Sequence, residues 1–175
     1  MKGIILLFSF FILGCNATRE TDVLTEHSGK VIKIVDGDTY DILLKDNISK
    51  RIRMDGIDAP ERGMPFYKVS KDYLGDLCFG EIVQIKQTST DRYGRTIAKT
   101  YLANGSEVGL LMITAGVAWH YKQYSTDAQL ANAEIEARKN RIGLWVDEAP
   151  VAPWAWRKNK KQKIPASNIK TVDAF

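Results

Sequence analysis

The sequence predicts an α+β protein, mainly β, in which a five-stranded barrel carries three helices. Short segments rich in β-branched residues, separated by turn signals, predict the strands. Helical periodicity occurs once between the third and fourth strands and twice after the fifth. Five short strands around one helix fit an OB-fold barrel, a scaffold that often binds nucleic acid. The fold by itself does not give the function.

The strand predictions follow from alternation and from the turn residues between the segments. Asp46-Asn47, Tyr93-Gly94 and Asn104-Gly105 are turn signals that end strands. The five predicted strands span residues 30–37, 39–45, 48–57, 81–89 and 96–103.

The helix predictions rest on one-sided apolar faces and on cap residues. Residues 66–77 place Val69, Tyr73 and Leu77 on one face. A second helix over residues 107–115 is closed by Gly116. A third is expected to begin at the N-cap residues 125–127 and to run to about residue 140. The prolines and tryptophans that follow predict a segment that packs back on the body.

The bulk composition indicates one domain with tails. The chain has 175 residues and a formal net charge of +4. The basic run 157–163 is compatible with a nucleic-acid partner and equally with a solvated tail. Two histidines and two cysteines in the whole chain disfavour a zinc site or a histidine-centred triad. Any metal should therefore be hard and oxygen-bound, and Cys78, in an apolar setting, is expected in the core.

The N-terminus predicts export. Lys2 is followed by an apolar run over residues 3–13 and by Gly14-Cys15, the pattern of a secretory signal. "ILGC" resembles the lipobox of bacterial lipoproteins, and the alternative is a signal cleaved nearby without lipid. The expected organisation is a signal over 1–14, a linker over 15–28, a domain over 29–157 and a basic, disordered tail over 158–175. The protein is expected to be a membrane-anchored lipoprotein of the cell envelope or a secreted protein.

Two acidic turns carry the functional hypothesis. Asp36-Gly-Asp38 and Asp58-Ala-Pro-Glu61 each look like ordinary turns when taken alone. Together they place Asp38 at the start of the second predicted strand and Asp58 at the end of the third. Antiparallel neighbours bring these two positions close together, and hard cations need several oxygens.

Arg53 and Arg95 fit the same hypothesis. Arg53 lies five residues before Asp58, and Arg95 follows the turn in "DRYGR". Arginine grips phosphate oxygens in pairs, so acids for a cation and two guanidiniums fit metal-assisted phosphoryl chemistry. Taken alone, Arg95 would be a surface turn residue.

The sequence resembles the staphylococcal (micrococcal) nuclease family, the thermonucleases, from about Lys30 to Arg157. Five motifs carry the resemblance in order: "VDGDTY", "RIRMDGIDAPE", "DRYGR", "NRIGLW" and "PWAW". The family fold is an OB-fold barrel with three helices, in agreement with the element order.

The resemblance implies roles for individual residues. Asp38 and Asp58 would be carboxylate ligands of Ca²⁺, with the carbonyl of Ala59 as a third oxygen. Glu61 matches the general base that activates water. The remaining implied residues are the phosphate-binding Arg53 and Arg95, the acid Asp36 beside the ligands, and the pocket aromatics Tyr93 and either Tyr121 or Tyr124.

The resemblance also implies the activity: calcium-dependent, sequence-tolerant endonucleolytic cleavage of DNA and RNA that leaves 3′-phosphate ends, by a monomer. One alternative is a non-catalytic nucleic-acid-binding OB-fold module at the envelope. Another is a surface lipoprotein with a structural calcium ion.

The sequence departs from the family in two places and leaves one geometric question. Ala59 stands where the staphylococcal enzyme has threonine, and the loop after Glu61 is shorter, which bears on substrate preference and rate. Strand alternation puts Arg53 and Asp58 on opposite faces, so the chain must turn or bulge near Gly56.

Overall fold

The computed structural model describes residues 26–45 and 47–162. The predicted signal, most of the predicted linker and residues 163–175 lie outside the described residues, as does Asp46 of the predicted turn. Among the described residues, no helix is both long enough and apolar enough to cross a membrane.

Five strands close into the predicted barrel. The hydrogen-bonded order is β1-β2-β3-β6-β5, and β5 returns to pair with β1. All pairs are antiparallel except β3 with β6, which run parallel. The barrel strands are β1 (Glu26–Ile34), β2 (Thr39–Leu43), β3 (Ser49–Met54), β5 (Ile82–Thr90) and β6 (Thr96–Tyr101).

The domain begins earlier in the chain than predicted. β1 begins at Glu26, so residues 26–28 belong to the barrel and not to the linker. They pair with residues 84–86 of β5, which gives their backbone groups partners that a free linker would lack.

The third predicted strand was too long. β3 ends at Met54, and the chain turns at Gly56, whose φ is +74°. It then forms a separate short strand, β4 (Ile57–Asp58), which pairs with β7 (Trp119–His120) in a two-stranded ladder. Asp58 therefore lies on β4 and not at the end of β3. The turn expected near Gly56 is confirmed.

The described residues form four α-helices where three were expected: α1 (Tyr67–Cys78), α2 (Val108–Thr114), α3 (Ala128–Lys139) and α4 (Pro153–Gln162). The side chain of Asp127 caps α3 by accepting hydrogen bonds from the amides of Gln129 and Leu130. α4 carries the chain through residues 158–162, which were expected in a disordered tail.

The core fills the barrel and the space under the helices. Cys78 is fully buried, as predicted, and burial raises the pKa of its thiol to about 12. A second apolar cluster contains Trp119, Trp145 and the partly buried Trp154. In this tryptophan cluster Trp119 pairs with Asp58 of β4 and meets Trp154 of α4, so the cluster connects α4 to β4.

Candidate active site

Asp38 is held at the turn between β1 and β2. Its Oδ2 accepts a hydrogen bond from the amide of Ala59 at 2.7 Å, and its Oδ1 accepts from the hydroxyl of Thr39 at 3.0 Å. α1 presses on this turn, because a Cβ added at Gly37 would lie 1.9 Å from Oγ of Ser70. The turn can therefore approach the helix only without a side chain at position 37.

Arg53 joins the two predicted ligand carboxylates. Its Nε lies 3.2 Å from Asp38 Oδ1, and its Nη2 donates to Asp58 Oδ1 at 3.0 Å. Its Nη1 donates to the carbonyls of Met54 and Ile57 at 2.7 and 2.8 Å. These bonds to the turn fix the guanidinium in place, with only 12 % of the side chain exposed.

A second basic residue, Arg157 of α4, completes the cluster. Its Nη2 donates to Asp58 Oδ2 at 2.7 Å, and its Nη1 donates to Asp58 Oδ1 at 3.1 Å. Nη1 also donates to Glu61 Oε1 at 2.6 Å. Glu61 is thus brought to Asp58 through a shared guanidinium. Its side chain is 40 % exposed, whereas that of Asp58 is only 2 % exposed.

The sequence reasoning missed Arg157. It directly follows the "PWAW" motif, at the start of the basic run 157–163. The available signal was its spacing from Trp154, since residues three apart share one helix face. Trp154 stacks on Tyr121 with centroids 5.3 Å apart and meets Trp119 edge-on at 5.5 Å. The face of α4 that packs on these rings is the face that presents Arg157 to Asp58.

Burial and mutual repulsion act on the carboxylates. Burial raises the pKa of Asp58; its hydrogen bond from Arg157 opposes that rise and the nearby Asp38 adds to it. Burial, and then the charge of Asp38, raise the pKa of Asp36 to about 7. Asp36 also accepts a hydrogen bond from the amide of Asp38 at 3.1 Å. Burial opposes protonation of Arg157, yet its bonds to Asp58 and Glu61 raise its pKa above the usual value.

The donor chemistry of the cluster suits a hard divalent cation. Three carboxylates (Asp38, Asp58 and Glu61) contact two guanidiniums. A fourth, Asp36, accepts a hydrogen bond from the amide of Asp38. The site therefore holds an excess of acidic groups that offer only oxygen donors. As arranged, the described residues contain no group of three or more His, Cys, Asp or Glu side chains placed to hold a metal ion. Both oxygens of Asp58 are bonded to arginine.

Arg95 lies outside the cluster formed by these hydrogen bonds. Its Nε donates to Asp91 Oδ2 at 2.7 Å within the β5–β6 turn. It precedes Thr96, which pairs with Ile52 on β3, so its backbone lies beside the strand that carries Arg53. The strand register thus places the backbone of Arg95 beside β3, and its side chain is turned to Asp91.

The predicted aromatic residues lie in two places. Tyr93 is 70 % exposed on the β5–β6 turn, and the guanidinium of Arg95 lies 5.9 Å from its ring centroid. Tyr121 and Tyr124 meet edge-on at 4.7 Å, and Arg157 lies 5.9 Å from the Tyr121 ring centroid. Tyr121 is therefore the tyrosine that adjoins the carboxylate cluster.

Comparison with known proteins identifies the relatives of this chain. Residues 51–147 match the family model described as staphylococcal nuclease homologue. A protein named micrococcal nuclease from Shigella flexneri is 38 % identical over 143 residues, covering 76 % of this chain and 82 % of that protein. An uncharacterized endonuclease of Escherichia coli O157:H7 is 39 % identical over 132 residues, covering 75 % and 86 %. A staphylococcal-like nuclease of Arabidopsis thaliana is 44 % identical over 111 residues, covering 63 % and 34 %.

Proposed function

The chain belongs to the staphylococcal nuclease family, and from this premise we propose that it is a calcium-dependent endonuclease that cleaves DNA and RNA to 3′-phosphate ends. The protein is a nuclease and a hydrolase. One observation carries the finer proposal: the buried Asp38 and Asp58 converge on one guanidinium, with Glu61 beside them.

Asp38 and Asp58, with the carbonyl of Ala59, would hold the ion. The amide of Ala59 donates to Asp38 Oδ2 at 2.7 Å, which keeps this segment of the backbone against the acid. Oxygen donors of this kind suit Ca²⁺. When bound, the ion supplies Lewis-acid polarisation of a phosphate oxygen.

Glu61 would take the proton from the attacking water. It is the most exposed carboxylate of the Asp38, Asp58 and Glu61 set, so water can reach it. General-base catalysis requires this access together with hydrogen-bond reach of the water. Asp36 would support the ligands through the amide of Asp38.

Arg53 would stabilise the charge that builds on the phosphoryl oxygens, where electrostatic contributions to catalysis are usually largest. Arg95 would join it by exchanging its bond to Asp91 for a phosphate oxygen. The side chain of Arg95 is 33 % exposed in its ion pair with Asp91. Partly exposed ion pairs contribute little to stability, so breaking this one costs little.

The substrate proposal follows from the kinds of contact available. Phosphate contacts and stacked bases do not read sequence, so little sequence preference is expected. Tyr121, Tyr124 and Tyr93 are the aromatic side chains proposed to lie along the nucleotide. The protein is proposed to act as a monomer. The N-terminal sequence supports the separate proposal that it is exported, as a lipidated envelope protein or a secreted one.

The test is a cleavage and binding experiment on the chain from residue 16 onwards. Plasmid and RNA are digested with calcium, with magnesium and with chelator, and the ends are analysed. Glu61→Gln should abolish cleavage and keep calcium binding, measured by calorimetry. The control Glu148→Gln changes an exposed glutamate between α3 and α4 and should leave both unchanged. Absence of cleavage with every metal, in folded protein, would favour the non-catalytic binding module.

A further inference from the structure

Arg157 occupies the carboxylate that the proposed metal ion needs. Asp58 Oδ2 accepts from Arg157 Nη2 at 2.7 Å, and Asp58 Oδ1 is shared by Arg157 at 3.1 Å and Arg53 at 3.0 Å. The two terminal nitrogens of Arg157 therefore cover both oxygens of the most deeply buried acid of the cluster. A divalent cation bound to the same oxygens would lie within a few ångströms of the guanidinium and would repel it.

The two arginines on Asp58 differ in how firmly they are held. Arg53 is 12 % exposed and is also bound to two backbone carbonyls of the turn after β3. Arg157 is 37 % exposed, and its guanidinium bonds go to Asp58 and Glu61, which are themselves the proposed ligand and base. Arg157 is consequently the cation that can leave without disturbing the backbone of the site.

We propose that Arg157 is the internal counter-ion of the metal site, and that a divalent cation binds only by displacing its guanidinium from Asp58. This inference rests on the proposed calcium dependence of the nuclease. Through these bonds Arg157 neutralises Asp58 and Glu61 and keeps both carboxylates in place. α4 thus sets the affinity of the site for its metal.

The position of α4 makes the exchange local. Trp154, one helical turn before Arg157, stacks on Tyr121, and Trp119 pairs through its backbone with Asp58. The helix can therefore stay anchored by its tryptophan while the arginine side chain rotates away. With its guanidinium on Asp58, Arg157 also lies 5.9 Å from the ring centroid of Tyr121, the ring on which Trp154 stacks.

The test is calcium binding by calorimetry, with CaCl₂ alone and no nucleic acid, on the chain from residue 16 onwards. Arg157→Gln should bind calcium at least about tenfold more tightly than the wild type, because the competing cation is gone. Arg157→Lys, which keeps the charge and loses the fork, should lie between them. Lys158→Gln removes the adjacent exposed charge of α4 and should leave the affinity within about twofold of the wild type.

A second measurement uses the wild-type chain alone, so that it does not depend on a variant folding. The side-chain nitrogen NMR signals of Arg157 should show restricted rotation without calcium and averaging at saturation. Equal or weaker calcium binding by Arg157→Gln, or unchanged Arg157 signals at saturation, would overturn the inference while leaving a calcium-dependent nuclease intact. Absence of calcium binding in both the wild type and Arg157→Gln would overturn the calcium proposal and this inference with it.

Discussion

Arg53 Nη2 donates to Asp58 Oδ1 at 3.0 Å, although the two residues would face opposite sides of an unbroken strand. The turn at Gly56 removes this conflict, because it ends β3 and starts β4 in a new direction. The carbonyl of Gly56 also accepts from the amide of Tyr121, which fixes the turn to β7. The contact between the arginine and the acid is thus a product of one backbone conformation.

Replacing Gly56 by alanine should destabilise the fold by more than its conformation alone explains. Its φ of +74° costs an L-residue about 1–2 kcal/mol. The added Cβ would also lie 2.7 Å from Cδ1 of Leu130, and such overpacking typically costs about 1–3 kcal/mol. Urea unfolding of Gly56→Ala measures the total loss.

Gly80→Ala is the matched control for this substitution. Gly80 has a similar φ of +83°, and an added Cβ would meet no atom within 4 Å. It should lose only the conformational part, about 1–2 kcal/mol. Equal losses in the two variants would show that the contact with Leu130 does not constrain the turn.

Much of this fold could be predicted because its strands and caps are local. Alternation and turn residues predict the five barrel strands. The predicted N-cap residues 125–127 include Asp127, whose side chain caps α3 in the structure. β4 and β7 are two residues each, too short for any periodicity to show. Their pairing joins residues more than sixty positions apart, which local pattern cannot indicate.

The site was predictable only in part for the same reason. Asp38, Arg53 and Asp58 lie close together in the sequence and inside recognisable motifs. Arg157 is 99 residues from Asp58, and a basic run beside it made it look like part of a solvated tail. The contact of Arg157 with Asp58 depends on how α4 packs on the tryptophan cluster. This packing is tertiary structure, which a local sequence pattern does not indicate.

Replacing Arg53 by lysine should reduce cleavage by roughly 10²–10³-fold, the scale of losing one positioned transition-state donor. Lysine keeps the charge but cannot span Asp38, Asp58 and the backbone carbonyls at once. Arg51→Lys is the matched control on the same strand. Arg51 is 47 % exposed and forms its own fork with Asp41, so its loss should change the rate no more than about threefold.

The measurement is the initial rate of plasmid cleavage at saturating calcium, with circular dichroism to confirm that each variant is folded. Arg53 also ties down the turn at Gly56 through Met54 and Ile57, so the Arg53 variant is compared well below its unfolding temperature. Cleavage by folded Arg53→Lys at the wild-type rate would remove Arg53 from the catalytic step.

His120 should make the fold less stable in mild acid. Burial lowers the pKa of His120, because it disfavours the charged imidazolium; Glu134 opposes this. The unfolded chain therefore binds this proton more readily, and the contribution of His120 to stability falls as the pH drops below about 6.5 toward the folded-state pKa. The slope can reach about 1.4 kcal/mol per pH unit over that window.

Urea unfolding of the wild type and His120→Gln between pH 8 and pH 5 tests this expectation. Glutamine can keep the hydrogen bond that His120 Nε2 shares with Ser125 Oγ at 3.1 Å, and it does not titrate. The difference in unfolding free energy between the two proteins should shrink as the pH falls through the window. A difference that stays constant with pH would show that His120 is not responsible.

Arg138 should be the surface arginine whose loss costs the most stability away from the carboxylate cluster. Its guanidinium lies 3.6 Å from the Trp145 ring centroid and 4.7 Å from that of Trp119, and it donates to Glu134 at 3.1 Å. Arg138→Ala removes these cation–π contacts and leaves the buried Glu134 with Lys122 as its remaining ion-pair partner. We expect a loss of about 2–4 kcal/mol in urea unfolding.

Lys139→Ala gives the matched comparison, because Lys139 is the next residue of α3 and is 71 % exposed, with a loose pair to Glu136 at 3.8 Å. Its loss should cost no more than about 0.5 kcal/mol. Equal costs for Arg138→Ala and Lys139→Ala would mean that the Arg138 contacts add nothing to the tryptophan cluster. A large cost at Arg138 alone would mean that its guanidinium stabilises β7. Because Trp119 of β7 pairs with Asp58, Arg138 would then also help to hold Asp58 in position.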